Sequence, residues 1–180
     1  GMSISPNNKI LAYGVDTVSR RKYTMYFKNL EDGSLYEETI PNTSANLTWA
    51  ADSKTVFYST KDDLTLRNNQ IWKYELGNTL STHLVYEEKD ETFVSYVSKT
   101  KSKEFIFIIN ESTLSSEVQY IRADQPEAKF ETFLKREKDH LYSITDFGND
   151  FYILTNWEAT NFRLMKTPIG STSNKDEWKE

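Results

Sequence analysis

Two sets of short strand-like segments recur along this chain at nearly the same spacing, and that repeat limits the folds open to it. Leu11, Val56, Phe105 and Tyr152 each sit in a short apolar run introduced by a polar turn, 45, 49 and 47 residues apart. Tyr26, Trp72, Tyr120 and Leu164 follow them at separations of 46, 48 and 44 residues. The most apolar run, Glu104 to Asn110, reads Glu-Phe-Ile-Phe-Ile-Ile-Asn. It is too short for a typical helix and is rich in aromatic and β-branched residues, so it reads as a strand covered on both faces. A strand-built unit repeating at this length predicts propeller blades.

The expected fold is all-β: about four antiparallel four-stranded blades of an incomplete β-propeller, at approximately 3–41, 46–86, 92–134 and 141–180. In the first unit, strands are expected at Ile10–Asp16, Tyr23–Leu30 and Leu35–Ile40, with Asp32-Gly33 as a hairpin signal. The second holds Asn46–Trp49, Thr55–Thr60, Gln70–Leu76 and Thr82–Tyr86. The third holds Phe93–Val97, Glu104–Asn110, Val118–Arg122 and Phe130–Leu134. The fourth holds Leu141–Thr145, Phe151–Thr155 and Phe162–Lys166, and its outer strand would form at Trp178. Such a sheet cannot bury both faces alone and must stack on its neighbours. Unequal loops and an incomplete last unit favour an open segment over a closed ring of four. In folds of this kind the innermost strands face the axis, so Asn46–Trp49, Phe93–Val97 and Leu141–Thr145 are expected to line a channel. Exposed blade edges can pair with another copy, so dimers or soluble aggregates are expected.

Composition narrows the function classes. Hydrophobic residues are only 37 % of the chain, but 14 % is aromatic, enough to fill a β core with amphipathic rings. The net charge of −5 has both signs interspersed, without the clustered basic face of a nucleic-acid surface. A solvated surface accounts for it better than a cationic ligand does. The absence of cysteine excludes disulfides, thiolate catalysis and Cys-ligated zinc, but does not identify the compartment. The cytoplasm is favoured over the periplasm. No stretch approaches a membrane span, and no signal peptide follows Met2. Gly1-Met2 reads as an expression-tag scar and the end at Trp178-Lys179-Glu180 as a strand cut short, so an excised piece of a longer protein is expected.

Few residues invite a chemical role. His83 and His140 are the only imidazoles. Asp139, His140 and Ser143 suggest a relay on paper, but surface or strand histidines are the simpler reading. No ligand spacing supports zinc or calcium, and no cofactor is expected. Glu87, Glu88, Asp90 and Glu91 lie between an outer strand and the next inner strand. Glu87, Asp90 and Glu91 are candidates for steering Arg- or Lys-bearing peptides; the plainer alternative is a solvated loop balanced by Lys89. Arg20-Arg21-Lys22 and Lys135-Arg136 read as solvated loops rather than anion sites. Asn42, Asn46 and Asn110 open glycosylation-type triplets that chance explains.

Several stretches also carry a family resemblance. Ser5-Pro6-Asn7-Asn8-Lys9-Ile10-Leu11-Ala12-Tyr13, followed by Asp16 to Arg20, resembles the propeller of the prolyl oligopeptidase family, nearest its oligopeptidase B (protease II) branch. Ile71 to Gly77, Val85 to Phe93, Lys99 to Lys103 and Asn161 to Leu164 are similar in the same way. The acidic block between Tyr86 and Phe93 is the most specific of them. The resemblance implies a serine peptidase in which a seven-bladed propeller caps an α/β-hydrolase domain, excluding large substrates while short peptides are cut after Arg or Lys. It implies the α/β-hydrolase domain of the same full-length chain as the partner of this segment. The nucleophile elbow Gly-x-Ser-x-Gly needs glycines four apart, and those at 1, 14, 33, 77, 148 and 170 never have that spacing. No catalytic residue carries over, and this segment alone is expected to hydrolyse nothing. The competing reading is a free-standing propeller that binds a protein or peptide.

Overall fold

A computed structural model describes residues 1–78 and 81–180. Among the described residues fourteen strands run in chain order: β1 Met2–Ile4, β2 Ile10–Val15, β3 Tyr23–Asn29, β4 Leu35–Trp49, β5 Thr55–Lys61, β6 Asn68–Glu75, β7 His83–Glu87, β8 Val94–Lys99, β9 Phe105–Glu111, β10 Ser116–Arg122, β11 Glu131–Thr132, β12 Tyr142–Phe147, β13 Asp150–Thr155 and β14 Arg163–Pro168. Among the described residues the one helical element is a 3-10 turn at Lys175–Glu177. No described helix is long and apolar enough to cross a membrane. All strand pairs are antiparallel and neighbours in sequence, giving sheets β1 to β7, β8 to β11 and β12 to β14. The chain is an all-β partial propeller.

The sequence repeat is reproduced in the hydrogen-bond register. Two residues beyond each first anchor, the chain pairs directly with the second: Tyr13 with Tyr26, Tyr58 with Trp72, Phe107 with Tyr120 and Leu154 with Leu164. The 47-residue spacing therefore marks the same cross-strand position in four successive meanders. The seven-stranded sheet doubles back on β4, which closes one meander and opens the next. Phe27 of β3 and Tyr74 of β6, three strands apart in that sheet, stack with ring centroids 6.4 Å apart.

Side chains alternate across each strand, so a strand between two sheets must be apolar on both faces. Val56 and Tyr58 pack with Met25, Phe27 and Ile40, while Phe57 between them packs with Ile106, Ile108 and Phe130. Phe105 and Phe107 turn the other way, onto Phe151, Ile153 and Met165. Three apolar layers thus separate four meanders. The two terminal faces are uncovered: Leu154 and Leu164 on the last sheet remain about half exposed, and Tyr13 and Tyr26 stack at 5.7 Å on the first.

The expected strands are modified in four places. β1 provides an innermost strand where the sequence reading begins with a turn; three residues are too few to carry a periodic signal. Leu35–Ile40 and Asn46–Trp49 are one continuous strand. Pro41 is tolerated within it because the pairing with β3 slips between Ile40 and Thr43, and Asn42 takes a left-handed φ of 58°. The outer strand expected at Phe130–Leu134 shrinks to β11, because Phe130 and Phe133 are drawn into opposite core layers. The last outer strand is a single bridge, Lys166 to Lys179, and Trp178 beside it is buried in the core.

Candidate functional site

The acidic crossover from β7 to β8 is a clamped junction between neighbouring sheets. Glu88 follows the last residue of β7, and its amide donates to the Asn69 carbonyl at 2.7 Å. That bond turns the carboxylate inward, where its side chain is only 5 % exposed. There it accepts from Tyr86 Oη at 2.7 Å and the Asp90 amide at 2.8 Å, and pairs with Arg136. Burial opposes ionisation of Glu88, but the donors from Arg136, Tyr86 and Asp90 outweigh it and hold the carboxyl below its usual range. The Arg136 guanidinium lies 3.5 Å from the centre of the Phe93 ring and 3.6 Å from Glu117. From the other side Arg67 donates to the carbonyls of Phe93 at 2.8 Å, Asp90 at 3.1 Å and Glu88 at 3.2 Å.

The three steering candidates differ in freedom. Glu87 is exposed and accepts from Gln70 at 3.0 Å. The Asp90 carboxylate accepts from the Thr92 hydroxyl and amide, which lower its pKa, and Arg136 lies 3.8 Å away. Glu91 is exposed. Arg136, read as an ordinary loop charge, is structural instead. Arg136 is three-quarters buried in a network of carboxylates, so it is no solvated loop residue. Arg136 and Arg67, rather than Lys89, balance the acidic segment. In the sequence, Arg67 gave no signal, since its partners lie 21 to 26 positions away. Tyr86 and Phe93 flanking the acids were the one available hint.

The histidine relay does not form. His140 is buried, its Nε2 lies 2.8 Å from Thr155 Oγ1, and its ring packs on Tyr142 and Trp178. It is thus a core residue, not a surface one, because its carbonyl and ring tie β10 to β13. Burial and the nearby Lys175 lower its pKa below the ordinary 6.5, against the opposing pull of Glu137. The folded state therefore takes up this proton less readily than the unfolded chain. Stability should be full above about pH 6.5 and fall as the pH drops from there toward the lower folded pKa. Urea midpoints measured between pH 7 and pH 5 should show this slope, and His140→Gln, which keeps a partner for Thr155, should flatten it. Asn110 is fully buried and accepts from Ser95 Oγ at 2.6 Å, so it cannot receive a glycan in the folded protein. Among the described residues no group of three or more His, Asp or Glu side chains could hold a metal ion.

The innermost positions fall to β1, the last residues of β4, β8 and β12. Val94 and Phe147 on these strands are exposed, while Ser95 and Tyr142 point inward. This arrangement can line a passage, and among the described residues of these strands no nucleophile has a base at hydrogen-bond distance.

Comparison with known proteins agrees with this architecture. Residues 1–180 match the prolyl oligopeptidase N-terminal β-propeller domain. The chain is 40 % identical over 179 residues to dipeptidyl aminopeptidase BI of Pseudoxanthomonas mexicana, covering 98 % of this chain and 24 % of that protein. It is 34 % identical over 168 residues to protease 2 of Moraxella lacunata, covering 92 % of this chain and 24 % of that one. Among solved structures, oligopeptidase B from Leishmania major superposes with a TM-score of 0.91 at 26 % identity, over 99 % of this chain and 26 % of that one. The chain therefore spans about a quarter of the length of these relatives. Repeat, register, stacked apolar layers and the match along the whole chain together place this protein in the prolyl oligopeptidase family, as part of its N-terminal β-propeller.

Proposed function

We propose that this chain is a segment of the substrate-gating propeller of a serine oligopeptidase that cleaves short peptides after Arg or Lys. On this reading the units at 3–41, 46–86, 92–134 and 141–180 are successive blades. Hydrolysis belongs to an α/β-hydrolase domain of the same full-length chain. The observation that carries the reading is the open stack of family-matched blades with two uncovered terminal faces, which further blades of the same ring would cover. The propeller's role is passive. It admits chains narrow enough to pass along its inner strands and keeps folded proteins from the nucleophile.

The test is kinetic. The full-length protein should cleave a short Arg- or Lys-containing peptide rapidly and leave the same sequence intact within a folded protein. Equal cleavage of both would overturn the gating role, and no cleavage of any peptide would overturn the peptidase reading. Glu87, Asp90 and Glu91 add a steering component. Replacing all three with their amides should lower kcat/KM for dibasic peptides by about three- to tenfold at low ionic strength, and less in high salt. A salt-independent or absent effect would leave the acidic crossover a purely structural device.

A further inference from the structure

Lys99, Lys101 and Lys103 converge on a cavity of about 410 Å³ where the ends of β1, β4 and β8 meet. Among the described residues no Asp or Glu lines it, although the protein as a whole carries an excess of acidic residues. Among the described residues none of the three lysines takes part in an ion pair. Lys99 is partly buried, and its ammonium donates to the Trp49 carbonyl at 2.8 Å. An ammonium carries three donors, so this bond leaves capacity for an incoming acceptor. Asp52 is close enough to act on Lys99 electrostatically, but its two oxygens are committed to the Lys54 and Thr55 amides and the Thr55 hydroxyl. Ile4, about half exposed, is an apolar side chain open to the cavity, whereas Leu47 and Trp49 border it from the buried core.

We infer that this cavity holds the C-terminal carboxylate of a short peptide, with the apolar side chain of the peptide's last residue against Ile4. The inference rests on the peptide-gating reading and names the feature of the peptide that is recognised. Three things point to a carboxylate with an apolar neighbour rather than a free inorganic anion. The cations all come from the end of β8 and the turn that follows it. The exposed Ile4 side chain would gain nothing from phosphate. The volume lies within the range of small-ligand pockets and is far larger than one anion requires. The position adds a reason for peptides, since the three contributing strands are the innermost strands of successive meanders. A peptide held here by its C-terminus has its other end free to extend along the axis.

The probe is a fluorescein-labelled tripeptide ending in leucine, as the free acid and as the C-terminal amide. It is titrated by fluorescence anisotropy into the full-length protein after covalent block of its serine nucleophile. The acid should bind roughly tenfold or more tightly than the amide, the difference of one charge-assisted hydrogen bond. Lys101→Gln with Lys103→Gln, both at exposed positions, should remove that difference while leaving amide binding unchanged. Lys99→Met, which keeps the buried stem, should do the same. Equal binding of acid and amide would overturn the inference, as would lysine variants that behave like the parent. Displacement of the acid by an equal concentration of inorganic phosphate would show an unselective anion hole and overturn it too. Failure of the underlying reading looks different: the unblocked protein would then hydrolyse no peptide at all, whatever the anisotropy shows.

Discussion

Replacing Phe151 with alanine should cost about 3–5 kcal/mol of folding stability, the range for deleting a buried aromatic ring. Phe151 is fully buried on β13 and joins two sheets. Its ring centroid lies 5.0 Å from that of Phe105, 5.2 Å from Tyr120 and 5.5 Å from Phe133, all on the preceding meander. Truncation removes apolar burial and several tilted or edge-on ring pairs at once, each contributing roughly 0.5–1.5 kcal/mol beyond its area. The surrounding side chains belong to hydrogen-bonded strands and cannot collapse far into the space. Against a typical total of about 5–15 kcal/mol, this is a large fraction. Tyr152 is the internal control, one residue along the same strand but on the uncovered face. Tyr152→Ala should cost about 1 kcal/mol or less. Urea titration should place the Phe151→Ala midpoint well below that of Tyr152→Ala, with similar m values. Equal midpoints would mean that the last two meanders do not pack through this layer.

The strands that carry these layers were readable from the sequence, and for a physical reason. A sandwiched strand needs apolar side chains on both faces, and Thr55-Val56-Phe57-Tyr58 and Phe105-Ile106-Phe107-Ile108 show it directly. Cross-strand pairing then carries the period from one strand to the next, which is why two anchor series kept the same spacing. What failed was local. The first unit was expected to end at Pro41, where proline removes a ladder donor, yet a register slip against β3 and the left-handed Asn42 absorb it. Phe130 and Phe133 read as alternating strand residues, but each is worth more in a separate core layer than in a ladder.

Site chemistry was less legible because it depends on residues brought together across sheets. Glu88 looks like its three acidic neighbours in sequence. Only the turn that bonds its amide to Asn69 sends it inward while Glu87 and Glu91 stay in solvent. His140 follows a charged run that suggests exposure, and Trp178 covers it from 38 residues away. The lysines at 99, 101 and 103 read as a polar turn, and their turn is indeed polar. The cavity they face is made by β1 and β4, which lie roughly fifty to a hundred positions earlier in the chain. Periodicity reports on each strand's own environment, whereas pockets and ion pairs report on packing between strands distant in sequence.

The same logic makes Arg136 the most informative polar substitution. Arg136→Ala should cost about 3–5 kcal/mol, because it strands the Glu88 carboxylate in a site where its side chain is 5 % exposed. Tyr86 and the Asp90 amide would remain as donors, but neither carries a charge. Combining Arg136→Met with Glu88→Gln should recover much of the loss. The glutamine oxygen can still accept from the Asp90 amide while its NH2 donates to the Tyr86 hydroxyl, and methionine keeps contact with the Phe93 ring. The double variant should therefore be more stable than Arg136→Ala alone, a non-additivity that a double-mutant cycle measures directly. The pH dependence gives a second readout of opposite sign in the two proteins. In the parent, the depressed pKa of Glu88 contributes stability above the ordinary carboxylate value, and this is lost as pH falls through the lower folded pKa. Without Arg136, burial dominates and raises that pKa, so protonation relieves the penalty as pH falls. The gap between parent and Arg136→Ala should narrow from pH 7 to pH 4. A gap that stays constant would place the cost in lost packing on Phe93 rather than in the buried charge.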